Sequence, residues 1–284
     1  MTVAAHRYTK KDFKDTLERR RRNAPRQPSD DVSNLSLTKL KILEFIHLYG
    51  GFTTIELVHK YLLGEGVFRL KDTRYTSKLL LEMFHDHGVI EKPEEQFSVK
   101  NPYGTMKMNH VASLVYKVSE RGEEVLKSTG LWNKHAPRAH GWYKHQMMTA
   151  CIYQMFHIGA RDSGIQFTSQ HELRAKEKFI QVGEVKVYPD AVFVLHLPKP
   201  FLFFFEMDRG TEKGSKKASR KTWGKSIEFY KSIFDKKLHR GNYDLPDDLL
   251  PFLATVTVDS NMERRILENI EAEYPEGFAR MLVH

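Results

Sequence analysis

Three acidic residues stand where hydrophobic runs begin and end. Asp190 heads Ala191-Val192-Phe193-Val194-Leu195, and Glu206 and Asp208 close Phe201-Leu202-Phe203-Phe204-Phe205. Side chains alternate along a strand with a period of two, so Glu206 and Asp208 point to one face. Pairing the two runs as a hairpin brings Asp190 to the same end of the sheet. Crowded carboxylates repel unless a positive charge lies between them, and hard divalent cations take oxygen ligands. The pattern predicts a site for Mg2+ or Mn2+ held by Asp190, Glu206 and Asp208. Its natural chemistry is metal-assisted hydrolysis of a phosphodiester.

Other groups could assist or simply support. Asp208 either binds a second ion or caps a turn with Arg209 and Gly210. His145 and Glu172 are each placed to reach the cluster, or else serve as hydrogen-bonded structural groups. Lys217, Lys221 and Lys225 recur at i, i+4 and i+8 of a basic helical segment, one stripe that suits phosphate contact. Trp223, in the same segment, either stacks on a base or is buried against the sheet.

Such a site needs an anionic substrate, and the chain's bulk properties agree. Its 284 residues carry a formal net charge of +9 and a pI near 9.4, which favours a polyanionic partner such as double-stranded DNA. No apolar run approaches the roughly 18 residues of a membrane-spanning helix, and the N-terminus lacks an apolar signal core. With Cys151 as the sole cysteine, neither a disulfide framework nor a thiolate zinc site can be built. A soluble, cytoplasmic protein with no membrane partner is the expectation.

The positioning elements divide into two halves. Residues 1–33 read as a basic flexible arm whose Arg20 and Arg21 lie in a run of four arginines. Residues 34–130 read as helix, helix, helix, hairpin, helix. Ser36 opens the first helix, and Thr53-Thr54-Ile55-Glu56 reads as a capping box for the second. Asp72 starts a third, with Tyr75, Leu79, Leu80 and Met83 facing inward. Phe97-Ser98-Val99 and Val115 to Val118 read as strands flanking a polar loop, and the last helix starts at Ser119. This is the order of a winged helix-turn-helix, in which the third helix meets base edges in the major groove. Arg74, Thr76, Ser77 and Lys78 fall where such contacts occur, and Lys100 and Lys107 lie in the wing. Small helical domains of this shape also mediate protein contacts. Two-fold symmetry is common among helix-turn-helix proteins, which makes a homodimer one expected state.

Residues 131–142 read as a linker. Residues 143–284 read as a helix, a short β-meander that includes strands at Phe179 to Val182 and Lys186 to His196, a basic helix, a strand at Phe252 to Val258 and a helix from Asn261 to Glu273. The fold class expected is α/β (α+β overall) with a mixed sheet in the second half.

Helix, hairpin bearing Asp then Glu, helix, strand resembles the PD-(D/E)XK nuclease superfamily, with Pro189-Asp190 and, sixteen residues on, Glu206-Met207-Asp208 as the matching positions. The string Phe205-Glu206-Met207-Asp208-Arg209-Gly210-Thr211-Glu212, with Lys225 to Tyr230 after it, resembles more narrowly the replication-relaxation family of plasmid and mobile-element proteins. Val115 to Gly122 is similar to that family's winged-helix ending. The resemblance covers about residues 35–260. It implies a winged helix followed by an αβββαβα nuclease-like domain and a metal-dependent endonuclease acting on DNA, alongside replication or transfer proteins of a mobile element. One departure stands out: Asp208 occupies the place of the superfamily's usual lysine. The resemblance implies that a lysine of the following helix, Lys225 first and Lys221 second, takes over the catalytic role, with Asp208 as its ion-pair partner. The departure equally leaves room for a catalytically inactive, nuclease-fold DNA-binding regulator.

Overall fold

The computed structural model describes residues 35–66, 72–93, 114–137, 143–208, 223–243, 245–246, 249–257 and 260–283. The fold is mixed α/β, with helices packed on both faces of a mixed sheet.

In the first half, α1 (Leu37–Leu48) opens on Ser36, whose hydroxyl accepts the Lys39 amide at 3.4 Å. It ends at Gly50 and Gly51, whose φ values of +105° and +84° are open to glycine without steric cost. There follow β1 (Phe52–Thr54), α2 (Ile55–Gly64), α3 (Arg74–His85), β2 (Ile90–Glu91), β3 (Val115–Val118) and α4 (Glu120–Ser128). The strands form one antiparallel sheet in the order β1-β3-β2. Three residues are too few to show periodicity, which is why β1 is invisible in the sequence pattern. The expected capping box is shifted by one residue: Thr54 accepts the Leu57 amide at 3.4 Å, while Thr53 bonds to Gln154 at 2.8 Å. Phe97 to Val99 lie outside the described residues.

One inward assignment is overturned. Tyr75 is exposed, and Thr76 takes the inward place. The buried stripe of α3 runs through Thr76, Leu79, Leu80 and Met83, the i, i+3, i+4, i+7 spacing of one helix face, and Tyr75 falls outside it.

The second half contains α5 (Tyr143–Asp162), β4 (Gln166–Thr168), α6 (Gln170–Leu173), β5 (Ile180–Val182), β6 (Val185–Val187), β7 (Ala191–His196), β8 (Pro200–Asp208), α7 (Trp223–Asp235), β9 (Leu250–Thr257), α8 (Ser260–Glu273) and β10 (Met281–Val283). The main sheet has the order β10-β9-β8-β7-β4, and β5 with β6 forms a separate ribbon. Strands β4, β7 and β8 are antiparallel neighbours, whereas β8-β9 and β9-β10 are parallel and are joined through α7 and α8. The stretch Lys186 to His196, read as one strand, is two. Pro189 offers no amide hydrogen to a ladder, so pairing stops at Val187 and resumes at Ala191.

Alternation along β8 builds the two layers. Phe203, Phe205 and Met207 pack with Ile152 and Tyr153 of α5, whereas Leu202 and Phe204 pack with Ile227, Tyr230 and Ile233 of α7 and Ile266 of α8. The central strand is thus buried on both sides. Phe45 and Tyr49 of α1 and Leu57 of α2 join the α5-side layer, so the two halves share a core. Polar contacts cross the interface too: the Gln154 side chain accepts from Thr53 and donates to the Phe52 carbonyl, Arg161 donates to the Tyr61 and Lys60 carbonyls, and Tyr49 bonds to His157 Nδ1 at 2.9 Å. The segment read as a linker is packed as far as it is described. Trp132 stacks on His47 with ring centroids 4.2 Å apart, and its amide donates to the Leu126 carbonyl at 2.9 Å. Residues 138–142 lie outside the described residues.

Candidate active site

The antiparallel register of β7 and β8 sets Asp190 and Glu206 at facing positions, one residue beyond the pair Ala191 and Phe205. The Asp190 amide donates to the Phe205 carbonyl at 3.0 Å. In return the Met207 amide donates to Asp190 Oδ2 at 2.8 Å, and His145 Nε2 lies 2.9 Å from Asp190 Oδ1. Asp190, Glu206 and Asp208 are only 9%, 5% and 3% exposed. Carboxylates this buried need polar partners, and each has one. Tyr230 of α7 donates its hydroxyl to Glu206 Oε1, and Trp223 donates its indole N–H to Asp208 Oδ2 at 3.0 Å.

Tyr230 reports on the pair. Burial, then the charge of Glu206 and the hydrogen bond to it, then the charge of Asp190, hold its phenol well above the usual tyrosine range. One hydroxyl therefore feels both carboxylates on the α7 side of the sheet. Thr255 of β9 lies opposite Glu206 in the parallel register. Its hydroxyl is buried and has no hydrogen-bond partner among the described residues.

The donor chemistry suits a hard divalent cation: three carboxylates, a neighbouring imidazole and an orphaned hydroxyl beside Glu206. Among the described residues, no three His, Cys, Asp or Glu side chains stand gathered as a metal-holding group. One oxygen of Glu206 and one of Asp208 are taken by the protein donors Tyr230 and Trp223.

The remaining sequence-nominated residues fall in different places. Lys225 is exposed on the first turn of α7. Lys217 and Lys221, like Arg20, Arg21, Lys100 and Lys107, lie outside the described residues. Glu172 caps α6, accepting the Ser169 amide at 2.7 Å and completing a capping box there. That commits it to a local structural bond. His145 does reach the site, through Asp190.

On α3, Arg74 is nearly fully exposed, with Asp72 as ion-pair partner, and Lys78 is also exposed. Ser77 is partly buried. Thr76 departs from expectation: it is wholly buried and bonded to His59 Nδ1 at 2.9 Å, so its side chain cannot meet a base edge. From sequence Tyr230 reads only as a packing residue, and its bond to Glu206 is hidden. No local pattern distinguishes a tyrosine that packs from one that also donates across the sheet.

Comparison with known families matches the replication-relaxation family over residues 51–249. The chain belongs to that family. The match begins beside β1 and ends just before β9, so it spans both halves and contains Asp190, Glu206, Asp208 and the whole of α3 and α7. Replication-relaxation membership ties the chain to the replication or relaxation of plasmids and other mobile elements. No curated protein and no solved structure matched the chain. Among the described residues, no helix is long and apolar enough to cross a membrane.

Proposed function

We propose that this replication-relaxation protein binds double-stranded DNA through its first half and hydrolyses phosphodiester bonds with a divalent-ion site in its second half. The observation that carries the reading is the burial of Asp190, Glu206 and Asp208 at one end of one sheet, beside the unpartnered Thr255 hydroxyl. Burying three carboxylates is costly unless a charge compensates them, and groups so placed are more often functional than ornamental. The order of α5, β7, β8, α7 and β9 is that of the PD-(D/E)XK core. In the first half, helix, strand, helix, helix, strand, strand, helix is a winged-helix order. There, Arg74 and Lys78 lie exposed at the start of α3.

Asp190 and Glu206 would hold Mg2+ or Mn2+, with Asp208 beside them. When bound, such an ion polarises a phosphoryl oxygen and acidifies a coordinated water. His145 and the Met207 amide orient the Asp190 carboxylate, so its oxygens are aimed before any ligand arrives. His145, 2.9 Å from Asp190, forms an ion pair with it when protonated. Tyr230 fixes Glu206 and Trp223 fixes Asp208. On this reading Lys225, exposed one turn before the Tyr230 contact, meets substrate phosphate rather than the ion.

A second reading has its own support. Every carboxylate already bonds to a protein donor, and Asp208 replaces the usual lysine. That pattern favours a nuclease-like scaffold serving as a DNA-binding regulator. Two assays separate the readings. Terbium(III) luminescence sensitised by Tyr230 and Trp223 reports ion binding without requiring activity, and plasmid nicking in Mg2+ or Mn2+ reports hydrolysis. Asp190→Asn and Glu206→Gln should abolish both while leaving DNA retention within about twofold. A wild-type protein that neither sensitises terbium nor cuts nicked, branched or duplex DNA leaves the regulator reading standing.

A further inference from the structure

Beside the carboxylates lies a cavity of about 580 Å3 whose wall includes Asp190 itself. That volume falls within the roughly 300–1,000 Å3 of small-ligand sites. Its rim is basic. Lys134 comes from the segment after α4, and Lys176 and Lys178 come from the segment between α6 and β5. Among the described residues none of the three makes an ion pair, and Lys176 donates to the Gly241 carbonyl at 3.3 Å. Glu177 is the one lining acid besides Asp190 among the described residues. At the mouth stands Tyr188, 41% exposed, its ring 5.6 Å from that of Phe179.

The basic rim is built rather than incidental. Arg174, at φ +47°, turns the chain sharply out of α6. Asn242, itself buried, then clamps the outgoing strand. Its Oδ1 accepts the Glu177 amide at 2.7 Å, its Nδ2 donates to the Glu177 carbonyl at 2.9 Å, and its own carbonyl accepts the Lys176 amide at 3.0 Å. Lys176 and Lys178 both lie on this held segment, and both line the cavity. His135, also lining the cavity, senses the field: burial lowers its pKa, and Lys134, Arg174 and Lys178 push it the same way.

We propose that this cavity takes one unpaired nucleotide of a DNA strand, with Lys134, Lys176 and Lys178 on its flanking phosphates and Tyr188 against its base. Like-charged lysines lining one cavity, without an ion-pair partner among the described residues, call for a polyanion, and the shared wall with Asp190 puts that polyanion beside the carboxylates. A concave site with an exposed aromatic face suits a base whose π-face is free, which a paired and stacked base does not offer. This deepens the reading given above: the substrate class is DNA with a single-stranded tail, gap or flipped base, rather than intact duplex.

The test uses the full-length protein in EDTA, where no cutting occurs, with fluorescein-labelled hairpin DNA carrying either a short single-stranded tail or a blunt end. Anisotropy should show tail-dependent tightening in the wild type. Replacing Lys134 and Lys178 together by Ala should weaken the tailed hairpin about tenfold and lower its salt slope by about 1.4, that is about 0.7 for each phosphate no longer neutralised. Tyr188→Ala should weaken it by about tenfold and Tyr188→Phe should restore it, because stacking needs the ring and not the hydroxyl. Blunt hairpin affinity should change less than twofold in all three. Equal losses on blunt and tailed DNA, or no loss on either, would overturn the proposal. The cavity proposal and the cleavage proposal fail separately: a protein that holds the tail through these residues yet never cuts in Mg2+ or Mn2+ loses only the nuclease reading.

Discussion

Replacing Tyr230 by Phe isolates the bond that ties α7 to the carboxylates. The ring is fully buried beside Phe204 and Phe234, at centroid distances of 5.9 and 6.0 Å. Phenylalanine keeps that packing and leaves no methyl-sized cavity. What disappears is one hydroxyl donating to a buried carboxylate. Hydrogen bonds to charged groups contribute about 1.5–3 kcal/mol. Because Glu206 has a further interaction, the lower half of that range applies, about 1.5–2 kcal/mol. For a chain of this size that is a fall of roughly 3–6 °C in Tm. Urea unfolding followed by circular dichroism in EDTA measures it directly. The double variant Tyr230→Phe with Glu206→Gln should cost clearly less than the sum of the two single changes, because both remove one interaction. In saturating Mg2+ the deficit should shrink, since the freed Glu206 oxygen becomes available to the ion. Additive costs, or an unchanged midpoint in EDTA, would refute the claim that this hydroxyl stabilises a buried charge at the site.

Three other outcomes follow from named contacts. Thr76→Val should cost about 1 kcal/mol through its missing bond to His59 and leave DNA affinity unchanged, whereas Arg74→Ala and Lys78→Ala should each lower the duplex salt slope by about 0.9 with little effect on stability; gel-shift titrations at several salt concentrations decide it. Gly50→Ala should destabilise by at least about 2 kcal/mol in thermal melts, since a Cβ there would lie 2.7 Å from Ala150 Cβ and 3.0 Å from its Cα at a φ of +105°, while Gly51→Ala meets open space and should cost only about 1 kcal/mol of strain. Burial, reinforced by Arg161, lowers the His157 pKa to about 4. The unfolded chain then takes up a proton first as pH falls from about 6.5, so stability present above that value is lost toward pH 4, by roughly 2 kcal/mol once its partial exposure is discounted. Urea midpoints at pH 7.5 and pH 5 should converge in His157→Gln.

The sequence carried the helices that have both a cap and an apolar stripe. Ser36 and Ser119 cap where expected, and the Phe201 to Phe205 run is the central strand with Glu206 and Asp208 at its end. It did not carry β1, β2 or β10, whose short runs are held by their neighbours rather than by a pattern of their own. The placement of Tyr75 and Thr76 shows the same limit: hydrophobicity alone turns the tyrosine inward, but the phase of the helix set by Leu79, Leu80 and Met83 puts a threonine there instead.

At the site, residue type and period alone determined which carboxylates share a sheet end, because alternation and antiparallel pairing are properties of the backbone. Which donors complete them was decided by tertiary structure. His145 comes from a helix 45 residues away from Asp190, and Tyr230 lies 24 residues beyond Glu206 in the crossover helix that joins β8 to β9. The basic cavity likewise assembles from segments on either side of α5, joined only when the chain folds. Side-chain contacts between distant elements depend on packing angles and register that no local spacing encodes.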